Sequence, residues 1–150
     1  MRIVLQRVKK ASVTIEDKLF SSINKGFLVL VGIENEDTIE DIEWLSSKLC
    51  GMRIFSDEEG KMNLDIKQID GEMLIVSQFT LHAACKKGNR PSFIRAARPE
   101  VAIPLYEKFI SETEKLMGKP CKTGQFGADM QIELINDGPV TIILDSKTKE

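Results

Sequence analysis

Gln131-Ile132-Glu133-Leu134-Ile135-Asn136-Asp137-Gly138-Pro139-Val140-Thr141-Ile142-Ile143-Leu144 is the stretch whose reading decides the fold. It holds two strand-like runs, Gln131 to Ile135 and Val140 to Leu144, flanking Asp137-Gly138. Asp-Gly between alternating apolar runs is a strong hairpin signal, because both residues tolerate the positive φ of a tight primed turn. The spacing therefore predicts a β-hairpin in this part of the chain. Gly138-Pro139 adds a second property. Proline has no backbone donor and glycine no side chain, so the pair presents bare carbonyls. In a cis bond the two flanking carbonyls could point roughly the same way; residue type alone does not fix the isomer.

Working outward, Ile3 and Leu5, then Ala11, Val13 and Ile15, alternate with polar residues and read as strands. Phe27 to Ile33 is a continuous apolar run of strand length, expected to be buried on both faces. Glu72 to Leu81 reads as a second buried strand. Thr38 to Gly51 is the clearest helix: Ile39, Ile42, Leu45 and Leu49 recur at helical spacing, Asn35 or Asp37 can cap its start, and Gly51 marks its end. A second helix is expected from Pro99 to Leu116, with Val101, Leu105, Phe109 and Leu116 as its apolar face. Pro99 suits a first turn, while Pro104 should kink the helix or mark its start. Ser56 to Lys61 reads as a surface turn, His82 to Ser92 as a polar, basic loop, and Ser146 to Glu150 as a frayed end. About eight strands and two helices in mixed order predict an α+β domain spanning 1–150. Its expected form is a curved or barrel-like, mainly antiparallel sheet covered by the two helices.

A chain of 150 residues can bury a sizeable core, and 42% hydrophobic with 29% charged residues is ordinary for a globular protein. The net charge of -2 excludes a global basic field. No apolar run is long enough to span a bilayer, and Met1 to Val8 lacks the apolar core and cleavage site of a signal peptide, so a cytoplasmic protein without membrane contact is expected. Cys50, Cys85 and Cys121 stand in no metal-ligand spacing and read as reduced thiols.

Three clusters carry possible chemistry. Ser77-Gln78-Phe79-Thr80-Leu81 puts hydroxyls and an amide at the end of an apolar run. On a continuing strand, Ser77 and Phe79 would face one way and Gln78, Thr80 and His82 the other. A hydroxyl nucleophile needs an oriented base, and the single histidine, His82, has no nearby Asp that clearly orients it, which disfavours a Ser-His-Asp triad. The plainer reading is that Ser77 and Thr80 satisfy backbone groups at a strand end. Lys86, Lys87, Arg90, Arg95 and Arg98 place five cations within thirteen residues with no acid among them. That is either a solvated loop or a phosphate contact of the salt-dependent, sequence-independent kind. Thr123 to Met130 is glycine-rich but lacks a P-loop's trailing lysine and a dinucleotide fingerprint, so close backbone packing or a pocket floor is expected. No carboxylate pair, metal-ligand set or stacking platform is legible, and neither a metal nor an organic cofactor is expected.

Gln6-Arg7-Val8, Ser77-Gln78-Phe79-Thr80-Leu81, Lys87-Gly88-Asn89-Arg90-Pro91-Ser92-Phe93, Gly124-Gln125-Phe126-Gly127-Ala128-Asp129-Met130 and Asn136-Asp137-Gly138-Pro139-Val140-Thr141, in that order, resemble the D-aminoacyl-tRNA deacylases over the whole chain. Each piece is weak alone; five in order are not. The resemblance implies a homodimer with its active site at the subunit interface. It implies hydrolysis of the ester between a D-amino acid, or achiral glycine, and the 3′ end of tRNA. It also implies roles: Ser77, Gln78, Phe79 and Thr80 lining the catalytic pocket, and Gly138-Pro139 as a cis motif entering the other subunit's site. Arg7 would hold that motif, Met130 would lie near the aminoacyl group, and Phe126 and Asn136 would complete the substrate contacts. Lys86, Lys87 and Arg90 are the candidate tRNA contacts. The competing expectation is a nucleic-acid-binding protein without catalysis on the same scaffold, resting on the basic loop alone.

Overall fold

The computed structural model describes residues 1–86 and 88–149. Its frame is a pair of long strands, β1 (Arg2–Ile15) and β8 (Gln131–Asp145), antiparallel along nearly their whole length. The expected hairpin is therefore absent: both apolar runs and the Asp-Gly between them belong to one strand. Pairs Gln6–Thr141 and Val8–Asn136 bracket one residue of β1, Arg7, and four of β8, Asp137 to Val140. The turn-forming residues are thus used for a bulge, where the extra residues leave the ladder.

On its other side β1 pairs with β2 (Lys18–Ile23) and with β3 (Gly26–Gly32), both antiparallel. β3 then pairs in parallel with β6 (Glu72–Ser77), and β6 in parallel with the two-residue β7 (Lys122–Thr123). The sheet is therefore mixed, its antiparallel pairings being the longer ones. Ser21 donates to the Thr123 carbonyl at 2.7 Å, drawing β2 toward β7 and curling the sheet nearly into a barrel. β3 sits centrally and is buried on both faces, as its unbroken apolar run requires.

Period-2 alternation distributes that run between two cores. Phe27, Val29 and Val31 join Met73 and Ile75 beneath the helices, while Leu28, Leu74 and Val76 face Val8, Val13 and Ile23 inside the curl. Helix α1 (Ile39–Gly51) buries Ile42, Leu45 and Leu49 and leaves Ile39 exposed. Thr38 is its N-cap, its N–H donating to Asp41 at 2.7 Å; neither Asn35 nor Asp37 serves. Asp37 instead accepts from the Met1 amine and from the Glu34 N–H.

Helix α2 (Pro99–Met117) runs on through Pro104 and ends at Gly118, whose φ of 71° supplies the left-handed cap. Its buried face is Ala102, Tyr106, Phe109, Thr113 and Met117; of the expected stripe, Val101 and Leu116 are exposed. Apolar residues stand on both faces of this helix. What rotates it is tertiary: the Tyr106 hydroxyl donates to the Ile75 carbonyl at 2.8 Å. The expected fraying fails at Ser146 and Lys147, which are bonded to the Met1 carbonyl and to Asp41. No helix among the described residues is long and apolar enough to cross a membrane. Two short strands, β4 (Phe55–Ser56) and β5 (Met62–Leu64), flank the surface turn.

Candidate active site

β6 ends at Ser77, not Leu81, so the side-chain alternation expected beyond it does not occur. The Gln78 N–H makes one last bond to the Val31 carbonyl at 2.7 Å, and Phe79–His82 then form a 3-10 turn. Gly32 makes this possible. A Cβ there would stand 3.0 Å from Leu81 Cβ and His82 Cδ2 and 3.1 Å from the Gln78 carbonyl oxygen, so any larger residue would push the turn outward by a few tenths of an ångström. Within the turn Gln78 Nε2 donates to Thr80 Oγ1 at 2.6 Å. The N–H groups of Phe79 and Thr80 have no acceptor among the described residues. His82 is buried beneath the turn and away from solvent.

Beside this turn lies a cavity of about 270 Å³. Ser77, Gln78 and Phe79 form one rim, and Phe126, Gly127, Ala128 and Met130 another. The apolar walls are Val31, Ile33, Val76, Ala97, Ala102 and Ile132. These wall residues gave no signal in the sequence beyond apolarity. The glycine-rich segment has both expected roles: Gly124 lets the Met130 thioether lie 2.5 Å from where a Cβ would be, and the residues after it line the cavity. The Tyr106 ring supports Phe126 with centroids 6.0 Å apart, and burial pushes the Tyr106 phenol well above its ordinary pKa, so it stays a neutral donor.

Arg7, Asn136, Gly138 and Pro139 are not at this cavity. Asn136, Gly138 and Pro139 belong to the β8 bulge, and Arg7 lies opposite it on β1. The bulge is braced from both ends. Arg7, 8% exposed, donates through Nε to the Asp137 carbonyl at 2.8 Å and through Nη1 to the Ile54 carbonyl. Asn136 accepts from the Val140 N–H at 2.7 Å and donates to Thr141 Oγ1 at 3.0 Å. The Gly138-Pro139 peptide is cis. Gly138 has φ 144°, and a Cβ on it would stand 2.8 Å from Val140 Cγ2 and 3.0 Å from Arg7 Nη2, so the position demands glycine.

Of the basic loop, Lys86, Arg90 and Arg98 are exposed and make no ion pair among the described residues, while Arg95 Nη2 lies 2.6 Å from Glu34 Oε1. Lys87 falls outside the described residues. Phe93 packs edge-on against Phe79, centroids 5.1 Å apart, and so brings the loop to the cavity's rim. No thiol lines the cavity, and burial raises Cys50 to about 11 and Cys121 to about 12, so neither of these two is a thiolate nucleophile.

The curled sheet thus carries a pocket where a central strand ends, with unpaired backbone donors and a cationic loop beside it. Residues 4–145 match the family model for D-Tyr-tRNA(Tyr) deacylase. The D-aminoacyl-tRNA deacylase of Flavobacterium psychrophilum is 60% identical over 150 residues, the whole of both chains. A solved "c-Myc DNA Unwinding Element Binding Protein" is 42% identical with a TM-score of 0.91, covering 97% of this chain and 98% of that one. A "probable eukaryotic D-amino acid tRNA deacylase", 18% identical with a TM-score of 0.81 over 95% and 97% of the two chains, shares the fold. The chain belongs to the D-Tyr-tRNA(Tyr) deacylase family, and the class of protein this defines is a hydrolase.

Proposed function

We propose that the protein hydrolyses the ester of D-aminoacyl-tRNA, and of glycyl-tRNA, using a site completed by the Gly138-Pro139 bulge of a second subunit. The observation that carries the two-subunit reading is a separation. The rim of Ser77 to Phe79 lines the cavity and the bulge of Asn136 to Thr141 does not, which supports reading them as contributions from two subunits.

In the complete site, the bulge offers carbonyls and no side chain that could sense what the substrate carries. A D-residue aims its Cα hydrogen at them and its side chain outward. An L-residue drives its Cβ into them, and glycine has no Cβ to reject. The substrate ammonium gains hydrogen bonds from the same carbonyls, which offsets its desolvation. Water attacks the ester carbonyl carbon, and the negative charge that develops on oxygen is met by the N–H groups of Phe79 and Thr80. Collapse breaks the bond to the ribose 3′ oxygen, which takes the proton, with the neighbouring 2′-hydroxyl able to pass it. Thr80 stands next to the rim, outside the residues that line the cavity, and does not attack; its hydroxyl accepts a hydrogen bond from Gln78. Lys86, Lys87 and Arg90 contact the tRNA backbone. A substrate of this kind places the enzyme in the cytoplasm.

A second reading has one observation in its favour, the nucleic-acid-binding name of the 42% identical neighbour. On it the basic loop binds nucleic acid and the pocket is idle. The test is a matched pair of D- and L-aminoacyl-tRNA incubated with the purified protein while ester loss is followed. Fast loss of the D-ester alone supports the proposal. Loss of both esters removes the filter, and loss of neither with RNA still bound favours the second reading.

A further inference from the structure

His82 is buried, and its two ring nitrogens are the buried side-chain polar atoms that lack a hydrogen-bond partner among the described residues. Its Nδ1 lies 3.4 Å from Glu34 Oε1, too long for a well-formed bond. That same oxygen is held at 2.6 Å by Arg95, whose side chain is 59% exposed on the basic loop. Two cationic or donor groups therefore contend for one carboxylate oxygen, and the outer one, Arg95, holds it. The inner one ends the turn that presents Phe79 and Thr80. Arg2 donates to the neighbouring Leu81 carbonyl at 2.8 Å, and Gly32 lies against the imidazole Cδ2, so backbone and glycine hold the turn on two sides of the ring while Glu34 is the acceptor nearest Nδ1.

We propose that His82 is a positioning residue through which RNA contact tightens the active-site turn. This rests on the deacylase reading. A phosphate that engages Arg95 draws the guanidinium away from Glu34. The freed carboxylate then accepts from His82 Nδ1–H and closes the 3.4 Å gap. The imidazole gains the partner that burial demands, and the turn bearing the two N–H groups is fixed from below. Arg95 acts as the latch, so removing it should imitate RNA. A merely structural histidine predicts no such sign.

The chain has a single histidine, so the ring signals of His82 can be read directly by NMR in untagged protein. Uncharged tRNA is expected to shift them, and Arg95→Ala, an exposed change, is expected to shift them in the same direction without RNA. Signals that move with neither would overturn the proposal, whatever the activity. Kinetics supply the second readout, comparing D-aminoacyl-tRNA with D-aminoacyl-adenosine, which has no phosphate. Arg95→Ala should raise kcat on the adenosine ester by about tenfold, the scale set by improved orientation of the reacting groups. His82→Phe should abolish that gain in the double variant, and His82→Gln, which keeps a donor, should restore part of it. A gain that survives in the double variant, or none in Arg95→Ala, rules out the latch. Failure of wild-type protein to cleave either ester counts against the deacylase reading instead, and the NMR shifts still decide the contact.

Discussion

The turn after β6 and the bulge in β8 are both places where a strand stops behaving as a strand, and they do so for opposite reasons. At Ser77 the ladder ends because Gly32 admits a turn against β3, and what results is a pocket rim with unpaired donors. At Asp137 to Val140 the ladder continues on both sides, and what results is a protrusion whose backbone is braced by Arg7 and Asn136. One region leaves two N–H groups without an acceptor among the described residues beside a cavity, and the other is a braced bulge with a glycine and a proline at its centre. An anionic oxygen suits the first and an ammonium or a Cα–H the second. An aminoacyl ester carries both, and on the proposed function the two regions would serve one substrate from two subunits.

That comparison breaks most severely at Gly138. Gly138→Ala puts a Cβ 2.8 Å from Val140 Cγ2 at a φ of 144°, so the bulge must shift. The ratio of D- to L-ester hydrolysis is expected to fall by about 100-fold, a loss on the scale of the strongest steric discriminations. An unchanged ratio in paired rate measurements would remove the filter role. Arg7→Ala tests the brace. It leaves the Asp137 and Ile54 carbonyls without their charged donor, costing about 1.5–3 kcal/mol in a chemical denaturation series and about tenfold in the D/L ratio. Arg7→Lys should not restore the ratio, because an ammonium cannot present the guanidinium fork to two carbonyls.

Charge reversal at Lys86 and Arg90 probes the first region's neighbour. Binding of tRNA should weaken and its log–log salt slope should flatten by about one per lost phosphate contact. An unaltered slope takes the loop out of the interface. Thr80→Ala sharpens the contrast between a rim and a nucleophile. If water attacks, kcat falls less than about tenfold, within the usual range for losing one polar contact; complete loss with unchanged binding makes Thr80 the nucleophile.

The smallest effect on activity is expected at a third place. Burial alone would raise the Asp41 carboxyl, but hydrogen bonds from Lys147, Ser146 and Thr38 outweigh it and hold the group well below the usual carboxylate range. A depressed folded-state pKa contributes stability that is present above the unfolded value near 3.9 and is lost as pH falls through the folded one. Asp41→Asn should therefore cost about 1.5–3 kcal/mol at pH 7 and progressively less in acid, with the D/L ratio unaltered. A cost independent of pH would show that packing, not charge, is what the variant removes.

How much was legible follows from how local each signal is. Phe27 to Ile33 declared its burial because an unbroken apolar run leaves a strand no polar face. Thr38 to Gly51 declared a helix through four residues at matching spacing, of which Ile42, Leu45 and Leu49 are buried. The α2 face was misread because apolar residues stand on both sides and Tyr106 is turned inward by Ile75, thirty-one positions away. His82 looked like a loop residue, since nothing in its neighbours reports that Gly32 lies beneath it.

The sequence by itself determined which residue types are available in each region: hydroxyls and an amide in one, glycine and proline in the other. Turn-forming and strand-forming tendencies are local properties, and at Asp137-Gly138 the local tendency predicted a hairpin that the fold does not make. Whether Asp137-Gly138 reverses the chain or merely swells it was decided only by tertiary structure. β1 is long enough to pair with both apolar runs of β8 at once, so the ladder on either side outweighs a local preference for a hairpin.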